Sequence, residues 1–254
     1  VDQQTKGESF VSYTTVIAAD YEHLPELRLA MPTWKKNRPD MWQNPLICFC
    51  DGVEASGWWE RQLRQFCDHP DLKLIQIPHD SQASQRHRML STFVYGVAEH
   101  VQTEHFLKID SDCACMWNHP NWMPPEWTAP DIQFVASKWG YTRPPNIFYD
   151  CCEWAKGKLI FEGRPEAPGN LDESRNRVNH GRIISYVLLG RTDYMHRLAE
   201  IAPGPLLPCQ SQDTFLWYVA VRLGLKYIRT KFDQWGFAHN RRKLAVRCQA
   251  AMEV

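Results

Sequence analysis

The sequence predicts an α/β fold, with a mostly parallel central sheet flanked by helices and a loop-rich region beyond it. Two observations carry that expectation. Short β-branched and aromatic runs alternate with helical apolar stripes through the first part of the chain, in the strand–helix order that builds a helix-covered parallel sheet. The last of these runs, His105-Phe106-Leu107, halts at Lys108-Ile109-Asp110-Ser111-Asp112, as a buried strand does when it delivers charged side chains to a sheet edge.

Residues 12–19 read as the first strand, which ends at Asp20. Leu24, Leu27, Met31 and Trp34 then recur at helical spacing; Pro25 suits a first helical turn, and Pro32 is expected to end or kink the helix. Pro45 to Cys50 reads as a second strand closed by Asp51-Gly52, Trp59, Leu63 and Phe66 mark one face of a second helix, and Leu72 to Ile77 forms a third strand. Leu90, Phe93, Val94, Val97, Ala98 and Val101 line the next helix, with Ser81 or Ser84 placed to cap it. That helix leads into the strand that ends at the paired acids.

The text changes from Met116 to about Arg182. Trp117, Trp122, Trp127, Trp139 and Trp154 are interleaved with prolines, and only Ile132 to Ser137 reads as a strand. Regular structure returns with a strand at Ile183 to Leu189, a helix around Asp193 to Glu200, a helix from Gln212 to Leu223 stopped by Gly224, and a short strand at Lys226 to Ile228. From Asn240 the chain is basic and then bland, and is expected to be an arm or tail. The whole chain, 1–254, is expected to be one domain with parts at 1–115, 116–239 and 240–254.

Composition narrows the classes. Lys plus Arg equals Asp plus Glu at 29 each, so no global field favours nucleic acid, and no nucleic-acid partner is expected. No apolar run approaches the roughly 18 residues of a membrane span, and no basic segment followed by an apolar core marks a signal peptide. A cytoplasmic protein is therefore expected, with peripheral membrane contact left open. The nine cysteines are scattered. Cys113-Ala114-Cys115 and Cys151-Cys152 lack structural-zinc spacing, and Cys48 and Cys50 read as small core residues, so reduced thiols are expected.

Asp110 and Asp112, one residue apart at a strand end, are placed to grip a hard divalent cation that also carries phosphate oxygens. Further on come Gln210-Ser211-Gln212-Asp213, opening a helix, and Trp235-Gly236-Phe237-Ala238-His239. With the strand-rich first half, this order resembles the GT-A glycosyltransferases, whose Asp-x-Asp motif holds a nucleotide-sugar diphosphate through Mn²⁺ or Mg²⁺. The resemblance implies a Rossmann-like GT-A fold, with a nucleotide-binding half at 1–115 and an acceptor-binding half at 116–239. It covers nearly the whole chain as organisation but only short stretches as motif.

Carried over residue by residue, the resemblance makes Asp112 a direct metal ligand. Asp110 is either a second ligand or a contact to the ribose or a metal-bound water, and Ser111 lies between them in the same site. Ala18, Ala19 and Asp20, after the first strand, would cradle the nucleoside, and Asp51 would face the nucleobase. Arg86 would meet base or phosphate, with Arg88 the competing choice. His239 would be a third metal ligand, and imidazole suits Mn²⁺ better than Mg²⁺. Asp213 would be the catalytic base of an inverting enzyme, although an Asp there also reads as a plain helix cap. Arg241, Arg242 and Lys243 would face the departing diphosphate, and one or two of the tryptophans, together with His180-Gly181, would border the sugars. The implied donor is a UDP-sugar ahead of a GDP-sugar, and the implied acceptor is a glycan or other hydroxyl. Departures remain: no second acid directly precedes Asp213, which leaves a retaining mechanism open. The competing classes are a haloacid-dehalogenase-type phosphatase and a non-catalytic nucleotide- or carbohydrate-binding protein.

Overall fold

The structure, a computed structural model, describes residues 12–52, 56–77, 85–119, 123, 125–137, 184–201, 213, 216 and 226–253. The strands of the main sheet are β1 (Tyr13–Asp20), β2 (Leu46–Asp51), β3 (Leu72–Ile77), β4 (His105–Ile109), β6 (Ile132–Ser137), β7 (Ile184–Arg191) and β8 (Lys226–Thr230), while β5 (Cys113–Cys115) and β9 (Phe237–His239) form a separate ribbon. The helices are α1 (Leu24–Asn37), α2 (Pro39–Gln43), α3 (Ser56–Leu63), α4 (Gln85–His100), α5 (Thr192–Ile201) and α6 (Leu244–Glu253).

The main sheet has seven strands in the order β3-β2-β1-β4-β7-β6-β8. β1, β2, β3 and β4 pair in parallel, β7 runs antiparallel to both β4 and β6, and β6 and β8 pair in parallel. The sheet is thus mostly parallel and helix-flanked, with one reversed strand that the sequence did not mark. The chain leaves β1 toward β2 and β3 on one side and returns to β4 on the other. The crevice at the carboxyl ends of β1 and β4 is therefore a topological switch point, where open α/β sheets bind ligands.

Each face of the sheet carries its own core. On one, Phe93, Val94 and Val97 of α4 and Tyr194, Met195 and Leu198 of α5 pack on Val16, Phe49, Phe106 and Phe134. On the other, Leu27, Ala30, Met31 and Trp34 of α1, Trp59 and Leu63 of α3, and Leu244 and Cys248 of α6 pack on Ile17, Cys48, Leu107 and Val135. Burial of each large apolar side chain contributes about 1.5–3 kcal/mol. Cys48, Cys50, Cys67, Cys113, Cys115 and Cys248 are all free and buried, so the thiols among the described residues serve as core atoms.

Two elements differ from the sequence reading. Pro32 does not end α1, which continues to Asn37. The proline removes the donor that would serve the Arg28 carbonyl, but Arg28 lies on the exposed face where water can replace it. Residues from Asn240 onward are not an arm. α6 buries Leu244, Cys248 and Ala251 against α1, where Lys36 Nζ donates to the Met252 carbonyl at 2.8 Å and Asn37 Nδ2 to that of Ala251 at 3.4 Å. The buried stripe of Leu244, Cys248 and Ala251 is interleaved with exposed Ala245, Val246, Ala250 and Met252, so no single apolar face stands out in the sequence. Ser81, Ser84, His180, Gly181, Cys151, Cys152, Trp122, Trp139, Trp154 and most of the helix predicted from Gln212 lie outside the described residues.

Candidate metal centre

The Asp110–Asp112 segment is a tight turn between β4 and β5, closed by the Cys113 N–H donating to the Asp110 carbonyl at 3.1 Å. Helix α1 fixes where β5 goes. Trp34 Nε1 donates to the Cys113 carbonyl at 2.6 Å, Asn37 Nδ2 to the Cys115 carbonyl at 2.7 Å, and the Cys115 N–H to Thr33 Oγ1 at 3.0 Å. The other edge of β5 pairs with β9 in a register that sets Cys113 opposite His239. The Asn240 N–H reaches the Asp112 carbonyl at 3.4 Å. In this way a histidine far along the chain is brought beside the paired acids.

Asp110, Asp112 and His239 each offer a ligand atom within 4.8 Å of the others, and they form the one such acid–thiol–imidazole group among the described residues. His239 Nε2 lies 3.1 Å from Asp112 Oδ1 and 3.9 Å from Asp110 Oδ2. The side chains remain partly open to solvent, at 35% for Asp110, 14% for Asp112 and 38% for His239. Two carboxylate oxygens and one imidazole nitrogen make a donor set suited to a hard-to-borderline divalent ion. The metal implied by the sequence resemblance therefore fits the residues present.

The electrostatics of the three groups differ. Desolvation raises the Asp110 carboxyl above its ordinary value, against the pull of the Lys108 ammonium paired with its Oδ1. Burial pushes the Asp112 carboxyl up as well, but its hydrogen bond with His239 outweighs this and holds it below the usual range. Burial would lower His239; the same bond to Asp112, with the charge on Asp110, raises it instead.

Three supporting residues escaped the sequence reading. Lys108, buried in β4, pairs with Asp110 and occupies one of its two oxygens. The signal was present, since side chains two apart on a strand share a face. Tyr186 of β7 stacks on the His239 ring at 4.6 Å and 14° and so fixes its plane, while the Asp110 N–H donates to the Tyr186 carbonyl at 2.9 Å. Glu26 of α1 accepts from Ser111 Oγ at 2.5 Å and pairs with Arg241 Nε at 2.6 Å. In sequence it looked like an ordinary acid in a first helical turn.

The other predicted site residues are distributed as follows. Ala18 and Ala19 lie inside β1, paired in register with Phe49 and Cys50, and not after the strand as expected; the ladder continues until Asp20 meets Asp51. The β1–β4 ladder stops earlier, at Val16 and Lys108; Ala19 is fully buried in the core beneath α1, and Ala18 packs on the opposite core. Asp20 is buried and caps the following turn, accepting from the Glu22 N–H at 2.9 Å and meeting His23 Nδ1 at 2.7 Å. Asp51 is buried at the end of β2. Arg86 belongs to α4, but its side chain lies outside the described residues. Asp213 has helical backbone and is half-buried; it is not a member of the three-residue cluster, and Leu216 beside it packs into the core of the α4–α5 face. Trp127 is a packing residue, buried against Tyr13 and His105, whereas Trp117 is exposed. An open cleft of about 590 Å³ lined by Tyr21, Leu24, Pro25, Arg28, Leu29 and Trp58 contains none of the cluster residues.

No family model matches the chain, and no curated protein does. Among solved structures it is similar to the mannosyltransferase PcManGT from Pyrobaculum calidifontis in complex with GDP-Man and Mn²⁺, at 14% identity and a TM-score of 0.47 over 88% of this chain and 56% of that one. It is also similar to the galactosyltransferase LgtC with donor and acceptor sugar analogues, at 11% identity and a TM-score of 0.47 over 84% of this chain and 72% of that one. A third is the glycosyltransferase GlyE of Streptococcus pneumoniae, at 12% identity and a TM-score of 0.49, covering 89% and 46%. The chain thus spans little more than half the length of the first and less than half of the third.

Proposed function

We propose that the protein is a metal-dependent glycosyltransferase that moves a sugar from a nucleotide-diphosphate donor to a hydroxyl acceptor. The observation that carries this reading is the meeting of Asp110, Asp112 and His239 beside the switch point of a mostly parallel sheet. That crevice is where such sheets take nucleotides, and a cation at its edge is what a diphosphate leaving group needs.

Asp110 Oδ2, Asp112 Oδ1 and His239 Nε2 would hold the ion, with Mn²⁺ favoured over Mg²⁺ by the imidazole. Bound there, the ion would supply Lewis-acid neutralisation of the diphosphate. The protein's own residues prepare the geometry. Lys108 engages Asp110 Oδ1 and so leaves Oδ2 as the oxygen toward His239; Tyr186 holds the imidazole plane. The carboxyl ends of β1 and β2, at Ala18, Ala19, Asp20 and Asp51, would border the nucleoside, and Arg86 of α4 would meet base or phosphate. In an inverting reaction the Asp213 carboxylate would take the acceptor hydroxyl proton as that oxygen attacks. UDP- and GDP-linked sugars, the former first, are the donors to test.

The test is nucleotide release from UDP- and GDP-sugars in Mn²⁺. The transferase gives slow UDP or GDP release that rises with acceptor, and Asp112→Asn lowers it by about 100-fold or more with the fold intact. Release of inorganic phosphate would turn the case to a phosphatase. Binding without turnover would leave a non-catalytic module.

A further inference from the structure

We infer that Glu26 is a positioning residue that clamps together the two chain segments bearing the candidate metal ligands, an inference that rests on the metal centre proposed above. The ligands arrive on separate arms. Asp110 and Asp112 sit in the β4–β5 turn, and His239 ends β9, two residues before Arg241. Glu26 reaches both from a third element. One carboxylate oxygen accepts from Ser111 Oγ, the residue between the two acids, at 2.5 Å, and the other pairs with Arg241 Nε at 2.6 Å.

The burial of this carboxylate argues that the arrangement is specific. Glu26 is 8% exposed, and a carboxylate in that setting is costly unless it is paired; Oε2 accepts from Ser111, while Oε1 accepts no hydrogen bond among the described residues and is met only by the charge of the Arg241 guanidinium. An acid on the outer face of a first helical turn would stay in water at little cost, and a core position would be apolar. The partners also divide by arm, with the hydroxyl on one and the guanidinium on the other. The backbone link between the arms is three β5–β9 residue pairs, flanked by the Met116 N–H donating to the Gly236 carbonyl at 2.6 Å and the Asn240 N–H to the Asp112 carbonyl at 3.4 Å, and on the Asp112–His239 side the longer of these is all that closes it. A second tie from α1 fixes the separation of Asp112 and His239 before any ion arrives. Outer residues that hold metal ligands in this way typically change affinity by roughly 10–100-fold when removed.

Glu26→Gln keeps the size and one acceptor but loses the charge pair, and Arg241→Ala, at an exposed side chain, removes the same pair from the other end. Both variants and the wild type are examined by amide hydrogen exchange without metal and by Mn²⁺ titration. In both variants we expect faster exchange confined to 110–113 and 239–241, Mn²⁺ affinity lowered by about 10-fold, and an unchanged melting temperature for Arg241→Ala. Unchanged exchange in those two segments would overturn the clamp, as would wild-type Mn²⁺ affinity in both variants. Local loosening in the variants, together with a wild type that binds no Mn²⁺, would sustain the clamp and remove the proposed metal centre instead.

Discussion

His105 shows how a single side chain can set a pH dependence far from any chemistry. It opens β4 with its ring edge-on to the Trp127 indole at 5.4 Å, and its buried Nε2 has no hydrogen-bond partner among the described residues. Burial lowers its pKa below the ordinary 6.5, against a weaker upward pull from Glu104. The native state therefore keeps the ring neutral while an unfolded chain protonates it near 6.5. Its contribution is complete above that value and is lost as the pH falls toward the lower folded value. His105→Phe removes the titration and keeps an aromatic partner for Trp127. The melting temperature of the wild type should fall more steeply than that of the variant between pH 7 and pH 5; parallel curves would assign the acid sensitivity to other groups. At this scale the sequence was legible where chemistry is local. Asp110 and Asp112 announced themselves by spacing, and Lys108 was readable by strand alternation. Tyr186 and Glu26 were not, because each acts on a residue distant in the chain, and nothing in a neighbouring side chain marks a stacking or capping partner that folding alone supplies.

The element that delivers His239 depends on the turn before it. Residues Phe232–Trp235 form a 3₁₀ turn that ends at Gly236, with φ of 88°, the one positive-φ residue described. A Cβ there would stand 2.8 Å from the Trp117 carbonyl oxygen and 3.3 Å from Arg38 Nη2. The crowding reflects a hub, because buried Arg38 donates to the carbonyls of Asn37, Trp117 and Trp235 and lies 5.1 Å from the centre of the Phe237 ring. Gly236→Ala should cost roughly 2 kcal/mol from backbone conformation alone, before the clash is counted, which lowers the melting temperature by about 4–8 °C. Because β9 begins at the next residue, it should also weaken Mn²⁺ binding; an alanine variant with native stability and native affinity would mean that the turn does not position His239. The strands Leu72–Ile77 and Ile132–Ser137 emerged with the bounds their periodicity predicts. The short elements did not: α2, β5 and β9 are too brief to carry a period, and α6 shows only Leu244, Cys248 and Ala251 as its apolar side. Such elements are specified by what they pack against and so appear only once the sheet exists.

On the scale of the whole molecule, strand alternation gave the class of fold but not the order of the sheet. A reversed β7 between β4 and β6 follows from long-range pairing that no local pattern encodes, and it is β7 that supplies Tyr186. The candidate centre accordingly draws on β4, β7, β9 and α1 together, so an ion there binds the folded state and not the unfolded chain. Linkage then converts binding into stability: at a free Mn²⁺ concentration of about 100 times its Kd, the native state gains about 2.7 kcal/mol. For a chain of this size, that gain should raise the melting temperature by roughly 5–10 °C. Mg²⁺ at the same concentration should give a smaller rise, because it accepts imidazole less readily, and a chelator should return the transition to its starting point. Asp112→Asn supplies the control within the same fold. It keeps the volume and a hydrogen-bonding partner for His239 but loses the charge, so Mn²⁺ should leave its transition nearly unmoved. An equal rise in wild type and variant would place the ion elsewhere on the surface and detach it from the switch-point crevice.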